Sequence, residues 1–255
     1  MLGGNELLKK NVFFMIAYEL TIHLFPLITT AYVARVLSTA SIGVYSYTYS
    51  IVSYLIVLTQ LGVSLYGRRE IAKAHDRVHR SRLFWGIFSV ELLMFIISTL
   101  LFAIIALFLD EQTKMVFYLQ ILSLIAALMD ISWLYFGVEK FFLAVSRNVI
   151  VRAITLALII ALIKNNNDLM MYSIIMSGST LFASLVMWIP SRKYIDFCII
   201  DKNSFDIALK GMLVMFIPVV SIQIFSVTDK VLLGIMSSVD SVGIYENVYK
   251  IAKVP

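Results

Sequence analysis

The hydrophobic pattern of this 255-residue chain shows neither the two-residue alternation of half-buried strands nor the single apolar stripe of a surface helix. It consists of apolar runs separated by short polar breaks. A helix crosses a hydrocarbon core of about 30 Å with about 20 apolar residues. Runs of that kind at 12–34, 44–66, 83–109, 115–136, 149–163 and 169–190 predict six membrane-spanning helices. A seventh is predicted at 212–235, and an eighth begins near residue 244. The fifth run is short and extends back past Arg152, whose long side chain can snorkel to the interface. The expected fold class is all-α integral membrane: a six-helix bundle, then the first helix of a repeated bundle.

Composition agrees with that class. Hydrophobic residues make up 60% of the chain and charged residues 15%, against about 45–50% and about 25% in soluble domains. The net charge of +5 could suggest nucleic acid, but the cations fill breaks between apolar runs instead of one polar face. They act as orientation signals, because positive loops stay cytoplasmic. With the N-terminus inside, segments 1–11, 67–82, 137–152 and 191–211 hold fifteen Lys and Arg residues, whereas the outside breaks hold Arg35, Lys114 and Lys164. Six of the fifteen crowd into Arg68–Arg82, read as a cytoplasmic anchoring loop. A single cysteine, Cys198, excludes an internal disulfide and a cysteine-based metal site. No cleavable signal peptide is expected, since the first apolar run is too long.

Shifting the sequence by 200 positions pairs Ser38, Ser41, Gly43, Tyr45, Tyr49 and Ile51 with Ser238, Ser241, Gly243, Tyr245, Tyr249 and Ile251. Fixed-period similarity is the mark of a duplicated architecture. Both copies follow an even number of crossings, so the repeats run parallel. The predicted organisation is a six-helix lobe at 1–190, an amphipathic interfacial connector at 191–210, and the start of a second lobe at 211–255, with about five more helices expected to complete it.

The blocks "YVARVLSTASIGVYSYTYSI", "LGVSLYGRREIAK", "DISWLYFGVEKFFLAVSRNVIVRAI" and "TDKVLLGIMSSVDSVGIYENVYKIAKVP" resemble the Wzx-type oligosaccharide flippases of the multidrug/oligosaccharidyl-lipid/polysaccharide exporter superfamily. The resemblance covers essentially the whole chain, though Ser38 stands where that family usually has Gly. It implies a two-lobed alternating-access transporter. Such a protein moves undecaprenyl-pyrophosphate-linked repeat units from the cytoplasmic to the outer leaflet of a bacterial cell membrane, for capsule, exopolysaccharide or O-antigen assembly. The lipid-linked glycan and the bilayer are its implied partners, with a polysaccharide polymerase and other assembly proteins beside it. A multidrug antiporter of the same fold and a membrane glycosyltransferase or polymerase are the alternatives. The latter usually needs a sizeable extramembrane loop, and the outside loops here are short. No enzyme motif, nucleotide loop, cofactor signature or metal-spaced histidine set is present.

Ionisable residues within a span cost about 2.5–3.5 kcal/mol at mid-depth, so each needs a reason. Glu19 and His23, four apart on the first helix, read either as a proton-titrating pair or as a packing hydrogen bond. Pro26 nearby permits bending. Asp229 and the adjacent Lys230 point about 100° apart, toward other helices. Lys230 or Arg35 could neutralise a pyrophosphate, while Arg35 could equally snorkel at a helix end. Asp130 and Glu91 are read as nearer the cytoplasmic ends, at interface or packing positions. Tyr45, Tyr47, Tyr49 and Tyr54 suit an outer aromatic belt, with sugar stacking as the alternative.

Overall fold

The structure, a computed structural model, describes residues 24–199 and 202–252. Its elements begin with the described part of α1, Leu24–Val36. There follow α2 (Thr39–Gln60), α3 (Val63–Lys73), α4 (Arg77–Ala106), α5 (Glu111–Leu119), α6 (Ile121–Met129), α7 (Ser132–Gly137), α8 (Phe141–Leu162), α9 (Leu169–Val186), α10 (Trp188–Ser191), α11 (Lys202–Met236) and α12 (Val239–Ala252). Among the described residues all regular structure is helical. Six helical segments are long and apolar enough to cross a bilayer: Thr39–Lys73, Arg77–Ala106, Glu111–Gly137, Phe141–Leu162, Asn166–Ser191 and Lys202–Met236. The chain is an all-α integral membrane protein.

Several helices start at a short polar side chain that takes up an orphan N–H. Ser38 accepts from the Ser41 amide at 3.2 Å, Asp76 from His79 at 2.6 Å and Asp110 from Thr113 at 3.0 Å. At Asp110, between two spans, the Thr113 N–H holds the carboxyl below its usual range. These caps move the boundaries away from the apolar runs. The second span begins at Thr39 rather than 44, and continues through a left-handed turn at Leu61 and Gly62 (φ 43° and 76°) into α3. The stretch 67–82 is therefore not a loop. Only Ala74, His75 and Asp76 separate α3 from α4, so its cations sit on two helix ends. The segment 191–210 also differs: α11 already begins at Lys202.

The breaks between successive spans fall at two ends of the bundle. One, the basic end, carries 74–76, the start of α8 and the 192–199 segment; the other carries 37–38, 107–110, 163–168 and 237–238. Near the basic end Phe84, Trp133 and Trp188 form an aromatic core. Trp188 Nε1 donates to the Met129 carbonyl at 2.9 Å, and Tyr135 donates to the Met187 carbonyl. Along the lipid side of α4, Leu92, Leu93, Ile96, Ile97, Leu100 and Ile104 are exposed. Such a stripe suits acyl chains and no aqueous surface.

At the opposite end α12 packs more extensively on α2 than any other pair of helices does. The crossing is reciprocal. A Cβ on Gly43 would lie 1.7 Å from the Val239 carbonyl oxygen, and one on Gly243 would lie 2.0 Å from the Thr39 carbonyl oxygen. Both helices open on the same serine cap, with the Ser41 and Ser241 amides each 3.2 Å from Ser38 and Ser238 Oγ. The rings of Tyr45/Tyr49 and of Tyr245/Tyr249 stack alike, at 5.8 Å. Small residues let two backbones meet this closely inside a membrane. Gly43→Val or Gly243→Val therefore drives the helices apart. Thermal unfolding in detergent should show a loss of about 1–3 kcal/mol or more, whereas Gly178→Ala, with nothing within 4 Å of its Cβ, should leave stability unchanged.

Candidate functional site: a polar cavity inside the bundle

Polar side chains inside a span recur at helical spacing on α8 and α9. On α8 Asn148, Arg152 and Thr155 share one face; on α9 Tyr172, Ser179 and Thr180 do the same. These faces turn toward Thr29 and Thr30 of α1 and Tyr49 of α2, enclosing a cavity of about 330 Å³. Phe25, Pro26 and Met176 add apolar wall. The cavity runs from Asn148 and Ala183, nearer the basic end, to Thr30 and Tyr172, nearer the other. Beyond Tyr172 it narrows to a void of about 10 Å³ that reaches Tyr45, Ser46 and Asn247 of α12.

The hydroxyls in the wall donate back to their own helices: Thr29 to Phe25 at 2.8 Å, Thr155 to Val151 and Thr180 to Ser177 at 2.7 Å. Each donor is thereby satisfied, and the oxygen keeps a lone pair for a guest. Arg152 brings a guanidinium, a planar cation, to the cavity wall. The wall thus supplies one positive group, hydroxyl acceptors and aromatic faces, a set suited to an anion joined to a polyhydroxylated body.

Past the narrow void, α2 holds both neighbouring helices. Tyr45 is buried against Tyr172, with centroids 4.8 Å apart. Asn166 Oδ1 accepts from the Ser38 amide at 2.7 Å and from Ser41 Oγ at 2.8 Å. Tyr54 pairs with Thr228 at 2.7 Å, and Tyr47 closes over Gly234. The tyrosines of α2 are therefore inter-helix packing groups, and Tyr49 also lines the cavity; a lipid-facing belt is not what they form.

Of the six sequence-derived candidates, the four within the described residues do not share one site. Glu19 and His23 lie outside the described residues. Arg35 is exposed near the end of α1. Asp130 ends α6, where its Oδ1 accepts from the Ser132 amide at 3.0 Å and pairs with Arg147 at 3.6 Å, fixing the α6–α7 break against α8. Asp229 accepts from Tyr245 at 2.8 Å, and Lys230 binds Glu246 at 2.6 Å with its ammonium 5.0 Å from the Tyr249 ring. The last two residues thus lock α11 to α12. Arg152 was overlooked because it was read as a snorkelling end residue. Instead α8 starts at Phe141, which places Arg152 eleven residues, about 16 Å, into the helix. The signal that could have found it is the i, i+4, i+7 spacing of Asn148, Arg152 and Thr155. Among the described residues no group of three or more His, Cys, Asp or Glu could hold a metal ion.

Residues 8–255 match the family model described as polysaccharide biosynthesis protein. The chain belongs to that family. A family relative, the "Putative O-antigen transporter" of Escherichia coli (strain K12), is 22% identical over 241 residues, which cover 92% of this chain and 58% of the relative. The chain therefore spans less than two thirds of that relative's length. No solved structure matches it.

The Lys230–Glu246 pair has side chains only 14% and 7% exposed, and removing one partner leaves a buried charge. Lys230→Ala should cost about 3–5 kcal/mol. Lys230→Ala combined with Glu246→Leu should be more stable than Lys230→Ala alone, as read from chemical or thermal unfolding of the purified protein.

Proposed function

We propose that this chain forms a lipid-linked oligosaccharide flippase, or a large part of one. It carries undecaprenyl-pyrophosphate-linked repeat units from the cytoplasmic to the outer leaflet for capsule, exopolysaccharide or O-antigen assembly. The observation that carries this reading is the polar cavity around Arg152 in an otherwise apolar bundle. Its cation suits the pyrophosphate through charge-assisted bonds, while Tyr49, Tyr172 and the wall hydroxyls suit sugar faces and hydroxyls. The polyprenyl tail stays in lipid. Membership of the polysaccharide biosynthesis protein family supports this reading over a drug antiporter.

The basic end faces the cytoplasm in this proposal, because Arg68, Arg69, Lys73, Arg77, Arg80, Arg82, Lys140, Arg192 and Lys193 lie toward it, whereas the opposite breaks hold Arg35, Lys114 and Lys164. Substrate is admitted from that end in this scheme. The glycine crossing of α2 and α12 then closes the outer end. Residues 211–255 begin a second lobe, and release outward requires the crossing to part, which is alternating access with the cavity at mid-depth. Arg35, Asp229 and Lys230 line the outer exit in this scheme, and Asp130 holds the inner end. Glu19 and His23, just before Phe25 and Pro26 of the cavity wall, are proposed as a second titratable pair on the same route.

The test is movement of a fluorescent undecaprenyl-pyrophosphate glycan across vesicles containing the complete transporter. Arg152→Gln should slow movement roughly 10–100-fold, the equivalent of one charge-assisted bond of about 1.5–3 kcal/mol. Arg152→Lys should recover part of it. Wild-type movement in Arg152→Gln would remove the cavity from the transport path.

A further inference from the structure

Glu91 sits at the centre of α4, fourteen residues after Arg77 and fifteen before Ala106. That is about 21 Å from either end of the helix. It is 0% exposed, and neither carboxyl oxygen has a hydrogen-bond partner. Its helix neighbours Ile87 and Val90 are equally buried, and Ser98, two turns along the same face, is buried with an unpartnered Oγ.

Among the described residues no helix packed on α4 forms an ion pair with Glu91. Facing α4, α2 carries only tyrosines as titratable groups (Tyr45, Tyr47, Tyr49 and Tyr54). On α3, Tyr66 is followed by Arg68, Arg69, Glu70 and Lys73 toward the basic end, and α5 keeps Glu111 and Lys114 at the opposite end. On α11, Lys202, Asp206 and Lys210 lie toward one end, and Asp229 and Lys230 toward the other. At the end of α6, which also packs on α4, the charged side chain is Asp130. Asp130 has the wrong sign, and its own charge is engaged by Arg147 and the Ser132 amide. An ionised carboxyl buried there, with no counter-ion among the described residues, would cost several kcal/mol.

We propose that Glu91 is a proton-binding site: it carries a proton while α4 is packed against α2, α6 and α11, and yields it to water when those helices separate. The proton then leaves on whichever side water enters and is regained from that or the other side before the bundle closes. Proton transfer and helix movement become one step. That the step drives glycan transport rests on the flippase reading; the protonation itself does not.

Infrared difference spectroscopy of the full-length protein in lipid nanodiscs tests it. At neutral pH the wild type should show a protonated-carboxyl C=O band that is lost in Glu91→Gln and retained in Asp130→Asn. Glu91→Leu, which substitutes apolar volume for the buried acid, gives the same difference spectrum should the amide variant unfold. A carboxylate signal assigned to position 91 at neutral pH, or no band that depends on it, overturns the proposal. In vesicles, an imposed pH gradient should accelerate glycan movement by the wild type and lose that effect in Glu91→Gln. Wild-type movement indifferent to the gradient overturns the coupling. The band present with no glycan movement at all overturns only the flippase reading.

Discussion

The bilayer interior supplies no water, so a polar group carried into it must find its partner within the protein. Nearly every detail of this chain answers to that constraint. Thr48 donates to the Val44 carbonyl at 2.8 Å and Thr59 to Leu55 at 2.9 Å, so hydroxyls on α2 satisfy themselves along their own helix. Gln120, fully buried, reaches the Tyr45 carbonyl and Thr48 Oγ1 at 3.3 Å and 2.9 Å. Side-chain caps such as Asp76, Asp110 and the Asn165–Asp168 capping box begin helices at the two ends of the bundle. Where two helices must touch without polar glue, glycines bring the backbones together, as at Gly43 and Gly243.

Several buried polar atoms depart from the rule, Ser98 Oγ, Trp133 Nε1 and Ser173 Oγ among them, and two departures bear on transport. In the cavity around Arg152, polar groups from α1, α2, α8 and α9 face a shared space instead of one another. At Glu91 a carboxyl is enclosed with no partner. A transporter needs both kinds of exception: a wet compartment that exchanges lipid headgroup for protein, and a charge state that depends on how tightly the bundle is closed. The Lys230–Glu246 and Asp229–Tyr245 pairs follow the rule, because Lys230 and Asp229 on α11 each meet a polar side chain of α12.

The all-α membrane architecture was legible in the sequence, since apolar runs and their polar breaks are a direct record of the bilayer. Boundaries were not. Caps such as Ser38 and the left-handed turn at Leu61–Gly62 are local hydrogen-bond events that hydropathy does not register, and so residues 67–73 read as a loop when they continue a helix. The site was hidden for a different reason. Arg152 and the tyrosines of α2 were given interfacial roles from their place in one helix. Their surroundings depend on which helices pack together, and Tyr45 acquires its environment from Tyr172, more than a hundred residues away. Glu91 was misplaced because the true length of α4 was needed to set its depth.

The central claim is that the Arg152 cavity is a water-accessible compartment within the membrane. It is tested most directly by thiol reactivity in intact vesicles of a Cys198→Ser background. Single cysteines at the cavity wall, Thr155→Cys and Ser179→Cys, should react with a charged, lipid-insoluble thiol reagent. Cysteines on the lipid-facing side of the same helices, Leu158→Cys and Phe182→Cys, should not. Equal reactivity at all four positions, or none at Thr155 and Ser179, would contradict the account.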